Sequence, residues 1–90
     1  MFIILTYDVK QKRQRKIMKV CKKYLYHVQK SVFEGYLTEK QLFDLEKELE
    51  YYVDPETDSL CVYKVPYYRN VVKDELGYSM RNDAEYFRLQ

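Results

Sequence analysis

Ninety residues, 47% of them hydrophobic and 17% aromatic, exclude a disordered chain and fit one domain, since domains usually hold about 100–150 residues. A chain this short buries only about 60–65% of its unfolded surface, so its core is modest and self-association would support it. The net charge of +2 hides an asymmetry, because residues 1–33 hold nine Lys/Arg and one acid, Asp8, whereas residues 34–90 hold seven Lys/Arg and thirteen acids.

In chain order, Phe2–Tyr7 is short, β-branched and apolar at both parities, as a central strand covered on both faces would be. From Lys10 to Leu25 the apolar residues Ile17, Met18, Cys21, Tyr24 and Leu25 fall at helical spacing, and the opposite face is basic. Val28–Phe33 reads as one strand, with Gly35 in its continuation marking a bend or bulge. Thr38-Glu39-Lys40-Gln41 is a capping box, with Leu37 and Leu42 placed as a hydrophobic staple. It opens a second helix with the apolar stripe Leu42, Leu45, Leu49 and Tyr52. Asp54–Asp58 is a turn, and Leu60–Val65 a further strand. Beyond Pro66 the pattern weakens to a strand near Lys73–Tyr78 and a tail with Tyr86, Phe87 and Leu89. Strands alternating with helices on short links predict a small α/β domain of the α+β plait type, a ferredoxin-like sheet with both helices on one face. The other sheet face is expected to be bare in a monomer, which predicts a homodimer.

Cys21 and Cys61 stand far apart with no CxxC or Cys/His cluster, which argues against a zinc site and a disulfide framework. The run Phe2-Ile3-Ile4-Leu5 is too short for a signal peptide or membrane span. A reduced, cytoplasmic protein without a membrane role is expected.

The first turn of a helix favours negative side chains, yet this one opens with Lys10, Lys12 and Arg13, followed by Arg15, Lys16 and Lys19, with no acid from residue 9 to residue 33. A solvated helix normally interleaves signs. The pattern makes sense if an external anion, the phosphate backbone of a nucleic acid, supplies the missing charge. Asp8 has two open readings. With Gln11 three positions on it makes an Asp-x-x-Gln capping box. Alternatively it holds Mg²⁺, an ion content with one or two carboxylates plus waters and phosphates, which would activate water for phosphodiester displacement. In a two-fold dimer, two copies of Asp8 could share the ion.

His27 is the one histidine, either a general base or a structural residue at a helix–strand junction. The tyrosines are mostly core or dimer contacts, with Tyr67-Tyr68 beside Arg69 the surface pair best placed to stack on bases. Glu39, Asp44, Glu46, Glu48 and Glu50 make the second helix acidic. That face is solvated, pointing away from the basic helix or toward a basic protein partner.

Tyr7-Asp8-Val9, Arg13-Gln14-Arg15, the run KVCKKYL at 19–25 and above all VQKSVFEGYLT at 28–38 resemble the small CRISPR adaptation protein family, Cas2, over roughly residues 1–65. The resemblance implies a ferredoxin-like homodimer packed through its sheets, with the C-terminal strand crossing to the partner and residues 79–90 a tail on that subunit. It implies a magnesium-dependent endonuclease on RNA or double-stranded DNA. It also implies a scaffold that joins dimers of the CRISPR integrase and holds the DNA that becomes a new spacer in antiviral defence. Asp8 then matches the metal-binding, catalytic aspartate, and Tyr7, Arg13, Arg15, Ser31 and Phe33 match positions linked to the site or substrate. Three readings follow: a metal-dependent phosphodiesterase using Asp8, a non-catalytic DNA-binding scaffold in which Asp8 is only a cap, and a toxin-like ribonuclease of the same fold.

Overall fold

The computed structural model describes residues 1–66, which form β1 (Phe2–Asp8), α1 (Gln11–Lys22), β2 (Tyr26–Gln29), β3 (Val32–Tyr36), α2 (Glu39–Tyr52) and β4 (Ser59–Val65). The expected strand near Lys73–Tyr78 and the tail 79–90 lie outside the described residues. The four strands make one antiparallel sheet in the order β2-β3-β1-β4. This is the expected α+β plait, with β1 central between β3 and β4.

Alternation along β1 divides the molecule. Ile3 and Leu5 face the helices and share one core with Val9, with Ile17, Val20 and Cys21 of α1, and with Leu42, Leu45 and Leu49 of α2. Both helices therefore cover the same sheet face. Phe2, Ile4, Thr6 and Asp8 point the other way, beside Tyr36, Glu34 and Val32 of β3 and Val65, Tyr63, Cys61 and Ser59 of β4. That second face is partly covered, where a bare one was expected. Phe2 is fully buried, 5.4 Å edge-on from Tyr36, and Glu34 is 2% exposed, while Tyr63 is 56% exposed.

The single strand expected over Val28–Phe33 is a hairpin. The chain reverses through Lys30 and Ser31, and Ser31 takes a left-handed φ of 63°, a conformation uncommon for a residue with a side chain. The irregularity expected at Gly35 lies instead between His27 and Gln29, where the register shifts around Val28. Gly35 pairs regularly with Ile3, and its missing side chain admits Leu25, whose Cδ2 would stand 3.4 Å from a Cβ there.

The start of α2 is as expected. Thr38 Oγ1 accepts from the Gln41 amide at 3.1 Å and Gln41 Oε1 accepts from the Thr38 amide at 2.9 Å, while Leu37 and Leu42 are both buried. After Tyr52 the chain turns on Asp54, whose carbonyl receives the amides of Thr57 and Asp58 at 3.2 and 2.9 Å. This turn delivers Asp58 to the start of β4.

Candidate functional site

No acid stands in the first turn of α1, and the N-cap is Lys10, without a side-chain cap. The capping box read between Asp8 and Gln11 does not form, because Asp8 is still paired in β1, opposite Ser59. The missing negative charge comes from Asp58 instead. Its Oδ1 accepts from the Lys10 amide at 3.0 Å and from Arg13 Nη2 at 2.9 Å, and its Oδ2 takes Arg13 Nε and the Asp54 amide. The Asp58 side chain is wholly enclosed, and hydrogen bonding from Arg13 together with the Asp54 and Lys10 amides holds it well below the usual carboxylate range. The helix start is thus filled by an internal anion. Sequence reading missed Asp58 and Thr57, which also accepts from Arg13 Nη2 at 3.0 Å, since no local pattern links them to α1.

The cations divide accordingly. Arg13 is committed to Asp58. Lys16 reaches over the Tyr52 ring, 5.5 Å from its centroid, and Lys23 pairs with Glu48 at 2.7 Å, so two lysines help fasten α1 to α2. Lys10, Lys12, Arg15 and Lys19 are exposed. Of these, Lys12, Arg15 and Lys19 lie three and four residues apart, on one side of the helix at a rise of roughly 5 Å per step.

Tyr7 and Asp8 leave the end of β1 on opposite faces. Tyr7 turns toward the helices and stacks on Phe33 at 6.1 Å, and His27 stacks on the same ring at 4.4 Å. Burial raises the Tyr7 phenol above its ordinary pKa, aided by the nearby Cys21, while hydrogen bonding from Ser31 opposes the shift. The Ser31 carbonyl accepts from the Tyr7 amide at 3.1 Å. Tyr7, Ser31 and Arg15 meet in one cleft between α1 and the β2–β3 turn, together with His27, Lys30 and Met18. Phe33 is fully buried behind it. Burial, then the charge of Lys22, lowers the His27 pKa, while the Gln29 backbone acts the other way.

Asp8 is exposed, and its carboxylate makes no hydrogen bond or ion pair among the described residues. Those residues hold no cluster of three or more potential metal ligands. A lone, uncommitted carboxylate fits an ion that keeps most of its waters and takes one or two acidic ligands, and does not fit a closed cage. No helix among the described residues is long and apolar enough to cross a membrane.

A family model described as CRISPR associated protein Cas2 matches residues 1–70. The chain belongs to the Cas2 family. It is 42% identical over 76 residues to "CRISPR-associated endoribonuclease Cas2 3" of Thermodesulfovibrio yellowstonii, covering 84% of this chain and 86% of that one. To the "CRISPR-associated endoribonuclease Cas2" of Nanoarchaeum equitans it is 48% identical over 63 residues, covering 70% and 68%. Solved Cas2 structures share the fold. One superposes with a TM-score of 0.81 at 35% identity, covering 91% of this chain and 92% of the other. Cas2 of Streptococcus pyogenes gives 0.73 at 34% identity, covering 86% and 100%.

Proposed function

We propose that this Cas2-family chain serves CRISPR adaptation as a homodimer that grips nucleic acid along α1 and cuts phosphodiester bonds with Mg²⁺ held by Asp8. The observation that carries the reading is the exposed, uncommitted Asp8 carboxylate at the end of β1, followed directly by the start of α1 with its exposed cations Lys10, Lys12, Arg15 and Lys19. The names of the relatives, endoribonucleases, favour the same chemistry.

In this reading the exposed cations of α1 neutralise backbone phosphates. Arg15 and Tyr7 orient the strand at the end of β1, and Asp8 anchors the ion. Bound there, Mg²⁺ would lower the pKa of a water and screen the charge of the displacement. A second copy would contribute its own Asp8, and the exposed Tyr63 and Cys61, on the same sheet face as Asp8, are consistent with two sheets meeting there.

The sparseness of the site favours a second reading. One carboxylate and no metal-ligand cluster among the described residues suit a DNA-binding scaffold that works with the CRISPR integrase on double-stranded DNA.

The test compares wild type with Asp8→Asn, with Mg²⁺, on labelled RNA and duplex DNA, and in spacer integration with the integrase. The enzyme reading expects cleavage to fall by at least a hundredfold while binding persists. Wild type that cuts neither substrate but supports integration leaves the scaffold.

A further inference from the structure

Asp8 offers a free carboxylate on a backbone that is held at each step beyond it. Asp8 itself pairs with Ser59 at the end of the sheet. Val9, the next residue, is buried in the core, and its carbonyl accepts from Gln14 Nε2 at 3.4 Å. The Lys10 amide donates to Asp58 Oδ1 at 3.0 Å, and the Lys10 carbonyl accepts from the Arg13 amide at 2.9 Å. Asp58 directly precedes Ser59 in the chain. A closed ring results. It runs from Asp8 through Val9 and Lys10 to the Asp58 carboxylate, on to Ser59, and back across the strand pair to Asp8.

The ring is only as firm as the Asp58 side chain. That enclosed carboxylate is oriented by four donors, the Lys10 and Asp54 amides and Arg13 Nε and Nη2. Arg13 sets its plane, because the guanidinium fork engages both carboxylate oxygens at once. Thr57 Oγ1 steadies the fork in turn, accepting from the same Nη2 at 3.0 Å.

A hydrated Mg²⁺ keeps several waters and few protein ligands, so the carboxylate that anchors it must be placed by the protein. Each contact of the ring fixes main chain beside Asp8, and none of them engages the Asp8 side chain. We infer that Asp58, set in place by Arg13, is the positioning residue for the divalent cation at Asp8. This rests on the metal reading above, and it gives Arg13 a part in the site that runs through Asp58.

The test measures Mn²⁺ binding to the full chain at room temperature, from the free-ion signal in electron paramagnetic resonance, since Mn²⁺ takes the same oxygen ligands as Mg²⁺. Asp58→Asn keeps the shape of the side chain and replaces one acceptor with a donor, which must face N–H groups on either side. Arg13→Lys keeps the charge and loses the two-point grip, and it decides the matter if Asp58→Asn does not fold. Each is expected to weaken Mn²⁺ binding about tenfold, the lower end of the cost of removing contacts that orient a metal ligand. Thr38→Ala removes a cap of α2 and leaves the ring intact, so it is expected to bind Mn²⁺ as wild type does although its fold is weakened. Wild-type affinity in either folded variant of the ring, or an equal loss in Thr38→Ala, overturns the inference and leaves the metal reading standing. If wild type takes up no Mn²⁺, or Asp8→Asn takes it up as well as wild type, the metal reading falls and the inference with it.

Discussion

Asp58, at the threshold of β4, grips Arg13 in the first turn of α1 across 45 positions of sequence. The same carboxylate closes on the Lys10 and Asp54 amides, so it caps the basic helix, answers its dipole and ties the two crossover connections together. Ser59, its neighbour, pairs with Asp8. The knot therefore sets how α1 stands relative to the end of β1.

Asp58→Asn leaves Arg13 without its counter-charge and replaces charge-assisted hydrogen bonds with weaker neutral ones. The midpoint of thermal unfolding, followed by circular dichroism at pH 7, is expected to fall by roughly 5–15 °C. Because the native Asp58 pKa is depressed, its stabilisation is complete above the unfolded carboxylate pKa of about 3.9 and fades as pH falls toward the native value. Melts repeated at pH 3 are expected to show a smaller gap between wild type and variant. A constant gap would mean that the charge of Asp58 is not what stabilises the fold.

Arg13 and Arg15 are two residues apart and are expected to behave differently toward nucleic acid. Arg15→Ala removes an exposed cation and is expected to flatten the log–log salt dependence of binding by about 0.7–0.9. Arg13→Ala, its guanidinium already held by Asp58, is expected to lower stability and leave the slope unchanged. Binding titrations between 50 and 200 mM salt, a range over which such contacts are sensed, separate the two.

Thr38→Ala removes one half of the reciprocal cap of α2. A loss of about 1 kcal/mol is expected, read as a drop of about 4–8 °C in the unfolding midpoint. Retention of the wild-type midpoint would show that packing of Leu37 and Leu42 alone holds the helix start.

The two thiols are expected to differ in reactivity. Cys21 is buried, and burial pushes its pKa up to about 12, whereas Cys61 is exposed. An aromatic disulfide reagent at pH 8 is expected to modify Cys61 and to reach Cys21 only on unfolding. If two sheets meet through the face that carries Cys61 and Tyr63, Cys61 slows as protein concentration rises, and Tyr63→Lys abolishes that dependence and shifts the mass in light scattering to a monomer.

What the sequence determined by itself is short-range. The capping box at Thr38 and Gln41, the staple of Leu37 and Leu42 and the helical stripes of α1 and α2 are each complete within a few turns, so their physics is present in any local window. The hairpin at Lys30 and Ser31 escaped because neither residue is one that favours a left-handed turn, and only pairing of β2 with β3 holds Ser31 there. Tertiary structure alone decided which cations of α1 stay free. Asp58 reaches Arg13, Tyr52 reaches Lys16 and Glu48 reaches Lys23 once the chain has closed on itself, and a charge met across a closed loop leaves no spacing to read. The acid that the start of α1 lacks in sequence is supplied in space.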